Sequence, residues 1–203
     1  MSFASIAWSV LSYIWDLTYT WLYTLVISFT SLETVWIIVP IWLSWFFAEF
    51  FQEKQGTSFG NAISNGVIPF WVGIDWVRQV TAQLINAQIN LGVLTIGKYF
   101  LSALVMAYGL TIIILGIKKK EIIKYLGRIR EVTYVLVVFT PFIYGEIEPS
   151  FIYFLSALLF FPIFYGIIEI IDRLTPEPVS LKEDEEERKS SGGSDQFSFE
   201  TLK

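Results

Sequence analysis

LGVLTIGKYFLSALVMAYGLTIIILGI, residues 91–117, is the stretch that decides the fold. About 20 apolar residues carry a helix across a hydrocarbon core roughly 30 Å thick. The only charge here is Lys98, near one end, so the segment reads as a transmembrane helix. Ala103 and Ala107 form a small-xxx-small pair flanked by Ser102 and Gly109, a face that lets helices approach closely in lipid. The next stretch, KKKEIIKYLGRIR (118–130), holds six basic residues and one acidic. It is the strongest positive cluster in the chain and should be cytoplasmic, so helix 91–117 runs from outside to inside.

Working outward gives four further candidate spans. Residues 150–171 are apolar until Glu169, with Pro162 inside. Residues 132–147 have an apolar core of only thirteen residues, Val132–Tyr144, broken by Pro141. That core is about 20 Å of helix. It crosses only by recruiting Gly145–Ile147, by thinning the bilayer, or by snorkelling of Glu131 and Glu146. Glu-Ile-Glu-Pro-Ser (146–150) is a tight outer turn. Residues 34–51 contain Pro40, which predicts a kink, and Trp36, Trp42 and Trp45, which suit interfacial anchoring. Thr30-Ser-Leu-Glu33 before them reads as a T-x-x-E capping box. Glu49, Glu53 and Lys54 mark the far end; Glu49 and Glu169 both read as solvated caps.

Residues 4–29 are long enough to span, but Ser5, Ser9, Ser12, Asp16 and Thr20 recur on one helical face. A helix lying in the interface usually brings Lys or Arg to that face, and this one has none, so spanning is favoured. Residues 55–90 look least regular. QGTSFGNAISNG reads as a loop, and 67–90 as an amphipathic helix at the outer surface. The expected fold is all-α: a multi-pass transmembrane bundle over residues 1–173, with about five spans (four as the alternative) and the N-terminus outside.

The last thirty residues, 174–203, carry eight acidic and four basic side chains, leaving only −1 of the net −5 for the body. Such a segment cannot bury a core, and a disordered cytoplasmic tail is expected. Its acidic run Glu183–Glu187 could meet the basic loop. The chain has no Cys and no His, which removes thiolate nucleophiles, imidazole bases and nearly all zinc sites. No cofactor or metal is implied, and nothing points to nucleic acid. Gly56–Gly66 lacks the G-K-[ST] ending of a phosphate loop. MSFASIAWSVLSY has no basic n-region, so no cleaved signal peptide is expected.

Asp16 is the sharpest site candidate. A carboxylate near the middle of a spanning helix costs about 2.5–3.5 kcal/mol, so it needs a partner, and Lys98 and Arg78 are the candidates. The functional reading is a proton or cation site; the plain one is a structural ion pair. Lys98 is expected to snorkel to the outer interface. Asp75 and Arg78, at i, i+3 beside Trp71 and Trp76, read as a surface ion pair or an outward-facing binding patch. Lys118, Lys119, Lys120, Lys124, Arg128 and Arg130 form a lipid-facing basic loop, each charge worth about 1 kcal/mol near anionic lipid.

The leading functional expectation is a non-catalytic accessory or assembly subunit in the cell membrane. It would pack against other membrane proteins or against itself. A small transporter or channel subunit built on Asp16 comes second. A membrane-embedded enzyme, pairing carboxylates such as Asp16 and Asp75, has the least support.

Overall fold

In lipid the backbone must satisfy its own hydrogen bonds, and a helix does so within one segment. The computed structural model describes residues 2–54 and 56–176, and all regular structure among them is helical. The elements are α1 (Phe3–Ile27), α2 (Leu32–Phe51), α3 (Phe59–Ile85), α4 (Val93–Ile117), α5 (Ile123–Leu126), α6 (Ile129–Tyr144) and α7 (Phe151–Leu174). The expected acidic tail beyond residue 176 lies outside the described residues. Helices α2, α4 and α7 are long and apolar enough to cross a membrane, which indicates a membrane-associated helical bundle. Pro40, Pro141 and Pro162 all sit inside continuous helices.

The short fourth segment proves to be the centre of the bundle. Helix α6 has 16 residues, about 24 Å of length, and nearly every one of them is buried. Ile129, Val132, Leu136 and Ile143 are fully enclosed, with α1, α2, α3 and α7 packed around them. Thinning and snorkelling are therefore unnecessary, because protein rather than lipid surrounds this helix. Tyr153 and Tyr134 tie it to α7: Tyr153 donates to the Val138 carbonyl at 2.6 Å and Tyr134 to the Ala157 carbonyl at 2.5 Å.

The segment read as loop plus surface helix is one helix of 27 residues, α3. Ser58 caps it, accepting from the Asn61 amide at 3.1 Å. Gly66, which looks like turn chemistry, serves instead with Gly73 as a packing face against α4, and Asn65 bonds to Glu53 and Gly127. A Cβ on Gly109 would lie 2.6 Å from the Gly66 carbonyl oxygen, and one on Gly73 would lie 2.9 Å from the Ser102 carbonyl oxygen. The contact follows Gly66 and Gly73 on α3 and Ser102, Gly109 and Gly116 on α4, all buried. This seven-residue spacing keeps small residues on one seam of two helices wound together. Ala103 and Ala107, the expected small-residue pair, are exposed; the residues flanking them make the contact.

Two local expectations also change. The N-cap of α2 is Ser31, without a side-chain cap bond, so Glu33 falls one position short of the capping-box register. Glu33 instead accepts from Gln79 Nε2 at 3.3 Å, and Thr30 donates to the Ile27 carbonyl. The second change concerns direction. Asn65 donates to the Gly127 carbonyl at 2.8 Å, and Glu49 contacts Arg130. The connection from α2 to α3 therefore lies at the same end of the bundle as the basic loop, not at the outer end where an outer-surface helix at 67–90 would put it.

The glycine seam makes a sharp prediction. Gly109→Ala should destabilise the protein by about 1–3 kcal/mol, because the methyl meets the backbone of α3. Gly97→Ala is the control, since a Cβ there meets nothing within 4 Å. Denaturation of the purified protein in mild detergent checks the pair; equal midpoints would show that α3 and α4 do not pack this closely.

Candidate functional site

A helix end buried in a bundle leaves amide donors or carbonyl acceptors without water. Helix α6 has this problem at both ends, and charged side chains from neighbouring elements answer it. At its N-terminus Glu53, only 2% exposed, accepts from the Ile129 amide at 3.3 Å and from Thr57 Oγ1 at 2.9 Å. Asn65 donates to the other oxygen of Glu53. A carboxylate suits this position because the helix dipole is positive there.

Beside it Arg130 sits at 1% exposure and gathers three acidic side chains. It donates to Glu49 on α2, to Glu169 at 2.6 Å and to Asp172 at 3.3 Å, the last two on α7. Its guanidinium lies 5.2 Å from the Tyr165 ring centroid. Lys54 Nζ donates to the Asp172 and Thr175 carbonyls at the end of α7 and lies 3.8 Å from Asp172 Oδ1. Arg173 pairs with Glu169 at 3.1 Å. Three cations thus face three carboxylates, joining α2, α6 and α7 at one end of the bundle.

This cluster corrects two sequence readings. Arg130 is not part of a lipid-facing loop, and Glu49, 1% exposed, is not a solvated cap. The signal was present in the spacing. Glu169 and Asp172 are i, i+3, which puts two carboxylates on one face of an apolar helix, and Glu49 and Glu53 bring two more to the end of another. The rest of the basic loop behaves differently. Lys118, Lys119 and Lys120 are exposed. Lys124 pairs with Glu121 at 2.9 Å, and Arg128 donates to Tyr165 Oη at 3.0 Å.

The opposite end has its own polar network. Lys98 does not snorkel; it is 5% exposed and donates to the Ile143 carbonyl at 2.9 Å, a cation on the last turn of α6. Gln83 donates to the Tyr144 carbonyl at 2.9 Å. Asp75 accepts from Arg78 Nε at 2.9 Å and Nη2 at 2.7 Å, and its other oxygen accepts from the Tyr144 hydroxyl. Glu146, just beyond α6, accepts from Thr34 Oγ1; burial pushes its carboxyl above the ordinary range, partly offset by that bond.

Asp16 meets neither suggested partner, since Arg78 pairs with Asp75 and Lys98 with Ile143. It is exposed on α1, as are residues 4–15 before it. The docked part of α1 begins one residue later, with Leu17, Trp21, Thr24 and Ser28 buried. Trp21 stacks on Phe160 of α7 with centroids 5.0 Å apart. Ser5, Ser9 and Ser12 each donate to a backbone carbonyl one turn back at 2.7–3.0 Å, and Asp16 is the charged member of the stripe.

In comparisons with known proteins, no family model matches the chain, and neither does any curated protein or solved structure.

Arg130 gives the prediction. Removing one partner of a buried ion pair costs about 3–5 kcal/mol, whereas replacing the charged set with apolar residues of similar size is far milder. Arg130→Met should therefore be much more damaging than the combination of Arg130→Met with Glu49→Leu and Asp172→Leu. Denaturant midpoints in detergent report the difference. A single variant as stable as the parent would mean that Arg130 is solvated and the cluster does not form.

Proposed function

We propose that this protein is a multi-pass integral membrane protein acting as a non-catalytic accessory or assembly subunit, held against other membrane proteins through the first half of α1. One observation carries the reading: residues 4–16, about four turns of helix, are all exposed, and they end on a carboxylate with no hydrogen-bond or ion-pair partner among the described residues. Asp16 lies eleven residues from the end of α1, about 16 Å along the axis and near mid-depth of a bilayer. A carboxylate there costs about 2.5–3.5 kcal/mol in lipid, and a neighbouring helix that donates to it removes much of that cost.

We infer a membrane topology from the pairing of α3 with α4. Helix α3 runs antiparallel along α4, so a crossing by α4 carries α3 across with it. Helices α1, α2, α3, α4, α6 and α7 then make six crossings, one more than the hydropathy pattern suggests. Lys54, the 118–130 loop and Arg173 all fall at one end, with Arg78 and Lys98 toward the other. That asymmetry supports a cytoplasmic basic end in the cell membrane, with the N-terminus and the acidic C-terminal segment on that side too.

Two measurements test this reading. The chain lacks cysteine, so single introduced cysteines report sidedness without background. Cysteines at Ser58 and Glu121 should label from one face and those at Asn90 and Glu148 from the other. Ser58 and Glu121 labelling from opposite faces would rule out the six-crossing arrangement. Separately, a photo-crosslinking residue at Leu11 should capture another polypeptide in native membranes, and Asp16→Leu should reduce that capture about tenfold, the equivalent of 1.4 kcal/mol. Adducts to lipid alone would sink the subunit reading.

A further inference from the structure

At the end of the bundle away from the basic loop there is a cavity of about 300 Å³ between the first turn of α2 and the last turns of α3. Glu33 and Trp36 form one wall; Arg78, Gln79, Gln83 and Asn86 form the other. The volume is at the small end for ligand sites, and the lining is unusual in a chain this apolar. It holds one carboxylate, one guanidinium and four carboxamides, the fourth from Gln88.

The polar groups are braced from behind. Asp75 takes two of the Arg78 nitrogens, Nε and Nη2, and is itself held by the Tyr144 hydroxyl. That leaves Arg78 Nη1 for the cavity. Glu33 has Gln79 as its hydrogen-bond partner among the described residues, through Oε2 at 3.3 Å, so Oε1 is available. Gln83 is fixed by the α6 carbonyls and by Lys98, 3.5 Å away. Trp36 is 81% exposed. A tryptophan so exposed on a membrane helix belongs at headgroup level, which sets the mouth of the cavity at the bilayer surface.

We propose that this cavity binds a zwitterionic phosphoethanolamine group. The phosphate would take the free Nη1 of Arg78, a charge-assisted bond to a guanidinium whose direction Asp75 already fixes. The ammonium would donate to Glu33 and to a carboxamide oxygen, with the Trp36 ring beside it. Ethanolamine fits better than choline because Glu33 and the carboxamides offer hydrogen-bond acceptors, which a trimethylammonium cannot use. A phospholipid headgroup and free phosphoethanolamine both present this group.

The test uses the full-length protein in bilayer discs of phosphatidylcholine, with and without phosphatidylethanolamine, followed by native mass spectrometry of retained lipid. Free phosphoethanolamine is titrated into the phosphatidylcholine-only discs. The wild type should retain phosphatidylethanolamine about tenfold over phosphatidylcholine, and Glu33→Gln and Arg78→Gln should each abolish that preference, the tenfold corresponding to 1.4 kcal/mol. Saturable binding of free phosphoethanolamine without lipid retention, lost in both variants, supports the same site with a soluble ligand. No lipid preference in the wild type together with no saturable binding of free phosphoethanolamine overturns the proposal, as does a preference or a binding that both variants keep. Should either variant fail to fold, Trp36→Leu on the exposed wall replaces it, with the same expected loss. None of these outcomes depends on whether α1 binds a partner.

Discussion

The structure depends on sealing a short helix inside the bundle. Helix α6 is buried except for a half-exposed stripe of Glu131, Val135 and Phe139, and both its ends are enclosed, so its terminal amides and carbonyls need partners from neighbouring elements. Glu53 answers the first turn and Lys98 the last. Each carries the charge that complements the dipole at that end. These two residues come from opposite ends of the membrane-sized helices around it, so the position of α6 along the bundle is fixed by charge as much as by packing. Arg130 extends the arrangement sideways. By collecting Glu49, Glu169 and Asp172 it fastens α2 and α7 to the N-terminus of α6.

A buried cluster of this kind is a poor source of net stability, since desolvating each ion costs several kcal/mol before any attraction is counted. Its value lies in specificity. Apolar helices in lipid gain little by choosing one neighbour over another, and an unpaired Arg130 or Glu49 penalises every wrong arrangement. The set balances three cations against three carboxylates, which keeps that penalty confined to misassembled states.

The sequence was informative wherever composition alone decides the outcome. The apolar stretches at 91–117 and 150–171 become α4 and α7, and 34–51 becomes α2, because length and hydropathy are local properties. Three kinds of feature were hidden, each for a physical reason. Helix α3 looked like loop and surface helix because its Gly66, Gly73 and Asn65 signal turns locally, while their use is set by contacts on α4 and at Gly127. Helix α6 looked too short because a span is judged against lipid, and protein surrounds it. The Arg130 cluster joins residues far apart in the chain, so each charge taken alone looked like an ordinary helix end. The direction of α2 was lost with α3, since one unseen long helix inverts the direction of everything before it.

Two kinds of contact hold helices together in lipid: close approach of small residues and polar bonds between side chains. The body of this protein uses both. The glycine seam joins α3 to α4, and charged bonds join α2, α6 and α7. The first half of α1 uses neither within the chain, although it carries the means for each. Ser5, Ser9 and Ser12 satisfy their own hydroxyls against their own helix, which makes them small and cheap to pack against. Asp16, directly below them on the same face, retains an unmatched charge. Leu17 and Trp21, the next residues to turn inward, are already docked on the bundle. The helix therefore changes role within one turn, from a free face built like a contact to a buried anchor. Free contact and buried anchor together are what a subunit needs in order to present one helix to a neighbour while the rest of its fold stays closed.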